Sequence, residues 1–166
     1  IETGKLNDAL QLTEKELKKN KNNIEAIVLK SYVLFQSGKA SEAIIFLNKA
    51  LKENPKNIRL LEYKSAILSD TNQFEESIAV YDQLIDLDPS NIEYKFEKAL
   101  MYYLLKDYKN ALIGFLEIEQ LDNITEGLLF NIGQCYRKIE DIENASKYYK
   151  KSIAIYPDLA SSYEAL

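Results

Sequence analysis

The chain repeats itself every 34 residues. Segments written from Ile24, Ile58, Ile92 and Glu126 stack into columns without a gap and run to Leu159. A fixed period in this range means that each repeat buries its apolar face against its neighbours. One closed core is therefore the wrong expectation, and a linear array the right one.

Within each repeat the apolar residues fall into two helical stripes. Ile27, Ser31 and Leu34 mark the first, and Ala40, Ala43, Ile44, Leu47, Ala50 and Leu51 mark the second. Spacings of three and four belong to amphipathic helices. Ser37-Gly38, Thr71-Asn72, Lys106-Asp107 and Glu140-Asp141 supply turns between the two stripes. The second stripe stops at Asn54-Pro55, Asp88-Pro89 and Tyr156-Pro157, because proline cannot continue a helix and pushes the preceding residue out of the α region. Asn23, Asn57, Asn91 and Thr125 then stand where a side-chain oxygen can cap the next helix. One small-residue column holds Ser31, Ser65, Ala99 and Gly133, and another holds Ala43, Ser77, Ala111 and Ala145. Small residues let helix axes approach, and Leu47, Tyr81, Phe115 and Tyr149 fill the space beside them.

Helix–turn–helix units of this length, with these small columns and a helix-ending proline, resemble the tetratricopeptide repeat. The last repeat matches best, through Leu129, Ile132, Gly133, Tyr136, Ala145, Tyr149 and Pro157. The family's tryptophan is replaced by Ile27, Leu61, Lys95 and Leu129, and Lys95 fits a buried column if its stem lies along apolar surface. The resemblance implies an all-α, right-handed α-solenoid of tandem helix–turn–helix repeats, one array over residues 1–166. Residues 5–20 are expected to form the second helix of a truncated repeat. Four full repeats follow at 24–57, 58–91, 92–125 and 126–159, and 160–166 begin a further helix. Both ends fall mid-repeat, so the chain reads as a piece of a longer protein.

The composition excludes most chemistry. There is no histidine, which removes the commonest general base, the Ser-His triad and most zinc sites. Cys135 is the single cysteine and lies inside a helix; it reads as packing, with no disulfide partner. The five glycines are scattered singly, so no phosphate loop forms. Acidic pairs such as Glu75-Glu76 lie at helix starts, where negative charge suits the dipole. No catalytic, metal or cofactor site is expected, and the chain is read as a non-enzyme. A net charge of −5 opposes nucleic-acid and anionic-membrane surfaces. No signal peptide or membrane-spanning run occurs, which points to the cytoplasm. The sequons at Asn123 and Asn144 read as accidents of an Asn-rich chain.

What remains is a surface. In the family that the chain resembles, the first helices of successive repeats line a concave groove that takes a partner's segment. Carrying those positions over gives Tyr32, Phe35, Tyr63, Phe96, Tyr103, Phe130 and Arg137 as the partner-binding groove. Aromatic rings among polar groups suit binding, since they bury large area with little rotamer loss; packing between neighbouring helices is the competing use of the same rings. The lysine–asparagine–arginine clamp for a chaperone's acidic tail is absent, because Glu62, Glu93 and Glu97 stand at clamp positions. The expected function is a protein–protein interaction scaffold with a protein or peptide partner. The alternatives are self-association, as a homo-oligomer through the cut ends, and a substrate-recruiting array of a larger enzyme.

Overall fold

The computed structural model describes residues 3–121, 124 and 126–157, with backbone alone for 3–7 and 126. All regular structure among them is α-helical. The helices are α1 (Thr3–Lys19), α2 (Ile24–Gln36), α3 (Ala40–Glu53), α4 (Ile58–Asp70), α5 (Phe74–Leu87), α6 (Ile92–Leu104), α7 (Tyr108–Gln120), α8 (Glu126–Lys138) and α9 (Ile142–Ile155). The chain divides into two compact bodies, an N-terminal one (Ile1–Leu87) and a C-terminal one (Asp88–Leu166).

The first helices begin where capping chemistry puts them. The Ala26, Leu60 and Glu93 N–H groups donate to the side-chain oxygens of Asn23, Asn57 and Asn91 at 3.2, 3.1 and 3.0 Å. Each such cap is worth about 1 kcal/mol. The second helices α3, α5 and α9 stop two residues before Pro55, Pro89 and Pro157. The cap expected at Thr125, the substitution at Asn123 and the helix expected at 160–166 lie outside the described residues.

The turn inside each repeat falls at the expected residues, with a backbone geometry that their types do not announce. Gly38, Asn72, Lys106 and Glu140 all take positive φ, between 59° and 76°, and they stand one period apart. In every case the next residue's N–H reaches back to close the helix. Lys39, Gln73, Asp107 and Asp141 donate to the carbonyls of Leu34, Leu68, Tyr102 and Tyr136 at 2.8–2.9 Å. This is the Schellman closure, which favours glycine at its left-handed residue. Asp107 and Asp141, expected within the turns, are N-caps instead: their carboxylates accept from the Asn110 and Asn144 N–H groups at 3.2 and 3.1 Å.

Both small-residue columns are buried in all four repeats. The contacts explain the sizes. A Cβ on Gly133 would lie 2.6 Å from the Tyr149 ring, and one on Gly114 would lie 2.9 Å from the Ala99 Cβ. Serine fits both columns because its hydroxyl has backbone to bond. Ser31 donates to the Ile27 carbonyl at 2.8 Å, and Ser77 of α5 reaches the Ser65 carbonyl of α4 at 3.3 Å. Thr13 of α1 falls in the column of Leu47 and is buried too, donating to the Leu10 carbonyl at 2.8 Å. One core cluster of the N-terminal body is aliphatic, Ile27, Val28, Leu34, Ala43, Leu47, Leu60 and Ile67, while Tyr81 is buried elsewhere in that body. In the C-terminal body Phe115 and Cys135 join Leu112, Ile118, Leu128 and Ile132, with half-buried rings around them.

Candidate functional site

In the N-terminal body a groove of about 380 Å³ opens between α2 and α4. Glu25, Val28, Leu29 and Tyr32 line it from α2, and Arg59 and Tyr63 from α4. Residues spaced by three, four and seven share one helical face, so the first helices present this set because their other face is committed to the core. Val28 forms a buried floor, while Leu29 and Tyr32 are 40% and 36% exposed.

Charge closes one side of the groove. The Arg59 Nη1 donates to Glu25 Oε1 at 2.9 Å, and both side chains are largely exposed. Such a pair contributes at most about 1 kcal/mol, so either partner can be exchanged for a ligand group at little cost. Burial, and then the neighbouring Tyr32, raise the Tyr63 phenol above its usual range, with Arg59 pulling the other way. Tyr63 is therefore a neutral hydroxyl at physiological pH, able to donate to a carbonyl. Phe35 does not join it. Its ring lies half-buried against the aliphatic core.

The expected residues of the C-terminal body are used more heavily for packing. Phe96 of α6 sits 5.3 Å from Phe115 of α7, ring to ring, and its tip would meet a Cβ on Gly127 of α8 at 3.8 Å. Tyr103 lies edge-on to Tyr108 at 5.3 Å, and Phe130 lies 5.9 Å from Tyr149. All three are half-buried. Arg137 is exposed and donates to Gln134 Oε1 at 3.0 Å along its own helix. Burial raises the Tyr103 phenol, with Cys135 and Tyr108 adding and Arg137 opposing, which brings Tyr103, Cys135 and Arg137 into one neighbourhood. Beside Phe96, burial and then Glu93 raise the Glu97 carboxyl.

Glu25, Leu29 and Arg59 were absent from the expected set. A signal for two of them existed: Glu25 and Arg59 occupy one column of consecutive repeats with opposite charge. Cys135 is fully buried, and burial pushes its thiol up to about 12. It is inert packing. Among the described residues, no group of three or more acidic or cysteine side chains is placed to hold a metal, and no helix is long and apolar enough to cross a membrane.

Residues 1–113 match the family model described as "Psidin, N-terminal TPR repeats region", and residues 128–159 match "Tetratricopeptide repeat". No curated protein matches the sequence significantly. Several solved structures are similar. A tetratricopeptide repeat protein from Parabacteroides merdae ATCC 43184 has a TM-score of 0.82 at 20% identity, over 98% of this chain and 64% of that one. YrrB, described as a TPR protein with an unusual peptide-binding site, has a TM-score of 0.80 at 22% identity, over 98% and 84%. MamA (41-end) from Desulfovibrio magneticus RS-1 has 0.80 at 17% identity, over 94% and 88%. At these identities the likeness is one of fold, and the fold is an all-α solenoid of helical repeats.

Proposed function

This chain belongs to the tetratricopeptide repeat proteins, and from that premise we propose that it is a non-catalytic scaffold holding a partner protein's segment against its first helices. The observation that carries the reading is the α2–α4 groove, where Tyr32 and Tyr63 stand over an apolar floor beside the exchangeable Glu25–Arg59 pair. Aromatic anchors with a polar rim are the parts from which peptide sites are made. YrrB, a protein of the same fold, is described as having a peptide-binding site. That supports assigning the same class of ligand here. Phe35 in the N-terminal body, and Phe96, Tyr103, Phe130 and Arg137 in the C-terminal body, are included in the proposal as further contact residues of their own bodies, and the repeats at 24–57, 58–91, 92–125 and 126–159 as the units that carry them. Action in the cytoplasm belongs to the same proposal.

The test is a partner captured with the 166-residue chain, identified, and titrated against variants. Tyr32→Ala with Tyr63→Ala should weaken it by about 2 kcal/mol or more, and Arg59→Ala should lower the association rate and its salt dependence. A partner bound equally well by all three variants would overturn the assignment of this groove.

A further inference from the structure

A second cavity, of about 580 Å³, lies in the N-terminal body between α1, the turn after it, and α3. It shares no residue with the α2–α4 groove. Leu17 of α1, Ile27 of α2 and Phe46 of α3 give it apolar walls, and the exposed Lys21, Lys49 and Glu53 stand around it. The charge around it runs against the rest of the chain. Residues 15–21 and 49–56 hold seven lysines and two glutamates, in a protein whose net charge is −5.

Part of this basic character has a local explanation. Lys18, Lys19 and Lys52 lie in the last turns of α1 and α3, where cations suit the helix dipole, and Lys19 pairs with Glu16 at 2.8 Å. Lys21 and Lys49 are not accounted for in this way. Lys21 lies beyond the end of α1, Lys49 lies before the last turn of α3, and neither makes an ion pair among the described residues. Two ammonium groups that make no ion pair among the described residues therefore flank an apolar recess large enough for a side chain and its neighbours.

We propose that this cavity docks an acidic segment of a partner protein, which inserts one bulky apolar side chain between Leu17 and Phe46 and sets a flanking carboxylate against Lys21 and Lys49. Complementary potential speeds such an encounter and rejects basic segments. Glu53 is the lining carboxylate that opposes it, and this gives the proposal a signature that simple apolar stickiness lacks: neighbouring charges must act with opposite signs.

The experiment selects random displayed peptides on the 166-residue chain and titrates the enriched ones by fluorescence anisotropy. The expected winners carry Leu or Phe beside Asp or Glu. Their Kd should rise about tenfold or more for Lys21→Glu with Lys49→Glu, fall for Glu53→Gln, and rise with salt. Arg59→Ala should leave it unchanged. Should the double Lys→Glu variant not fold, Lys21→Gln with Lys49→Gln keeps the same order with smaller steps. No enrichment, winners without an acidic–apolar pair, or winners lost with Arg59→Ala but indifferent to Lys21 and Lys49 would each overturn this site. The last outcome would do so while supporting the groove.

Discussion

The two bodies answer the same 34-residue period with different materials. Residues 88–166 hold twice as many aromatic residues as residues 1–87. In the C-terminal body rings pair with rings, and Tyr136 stacks on Tyr148 at 5.5 Å. Glu119 of α7 ties α9 down, accepting from the Tyr148 hydroxyl at 2.8 Å and from the Lys151 ammonium. The N-terminal body has an aliphatic cluster with Phe35, Phe46 and Tyr63 packed against it, and Tyr63 also lines the groove together with Tyr32. A ring that packs offers less of its surface to a ligand. The proposed groove therefore lies in the body with fewer aromatics, which the sequence columns alone did not suggest.

Deleting a core ring tests this contrast most severely. Phe115→Ala removes a fully buried side chain together with the partner of Phe96, and should cost about 3–5 kcal/mol in chemical denaturation. Leu47→Ala, in the same column of the N-terminal body, should cost less, near the lower part of the range of about 2–5 kcal/mol for such changes. Equal losses would show that the aromatic content adds nothing special. A sharper comparison lies in the close-contact column. Gly133→Ala pushes a methyl into the buried Tyr149 ring and should destabilise by about 1–3 kcal/mol, although Ser31 and Ser65 hold the equivalent places in the N-terminal body, where Leu47 and Tyr81 stand in the column of Tyr149. A neutral melting temperature for this variant would mean that Tyr149 yields. The smallest effect should appear at the turns. Lys106→Gly and Glu140→Gly remove left-handed strain that Gly38 never has, and each should stabilise by about 0.5–1 kcal/mol. Gly38→Ala should move the other way.

Much of this architecture was legible because it rests on residue type. The asparagine caps, the proline stops and the two small columns are chemical necessities, and they sit where the residues say. The left-handed column was not legible, since Gly38, Asn72, Lys106 and Glu140 share a backbone angle and no side-chain chemistry. Hence Asp107 and Asp141 read as turn residues rather than caps. The site residues were half legible. Periodicity puts Tyr32, Tyr63, Phe96 and Tyr103 on first helices, but such a helix is buried over more than one stripe. Whether a ring meets solvent or Phe115 depends on neighbours distant in sequence.

The first helices α2, α4, α6 and α8 each contain 13 residues, and in each a residue of positive φ follows at the same distance. One inserted residue would turn everything downstream of it in the helix by about 100°, carrying the close-contact serine, alanine or glycine away from its partner while the closing turn arrived out of phase. Substitution at the turn is therefore cheap and insertion is not. The repeat behaves as a counted length of backbone, and its amino acids are free to drift where its arithmetic is fixed. This explains how four copies can differ at most positions and still align without a gap from Ile24 to Leu159.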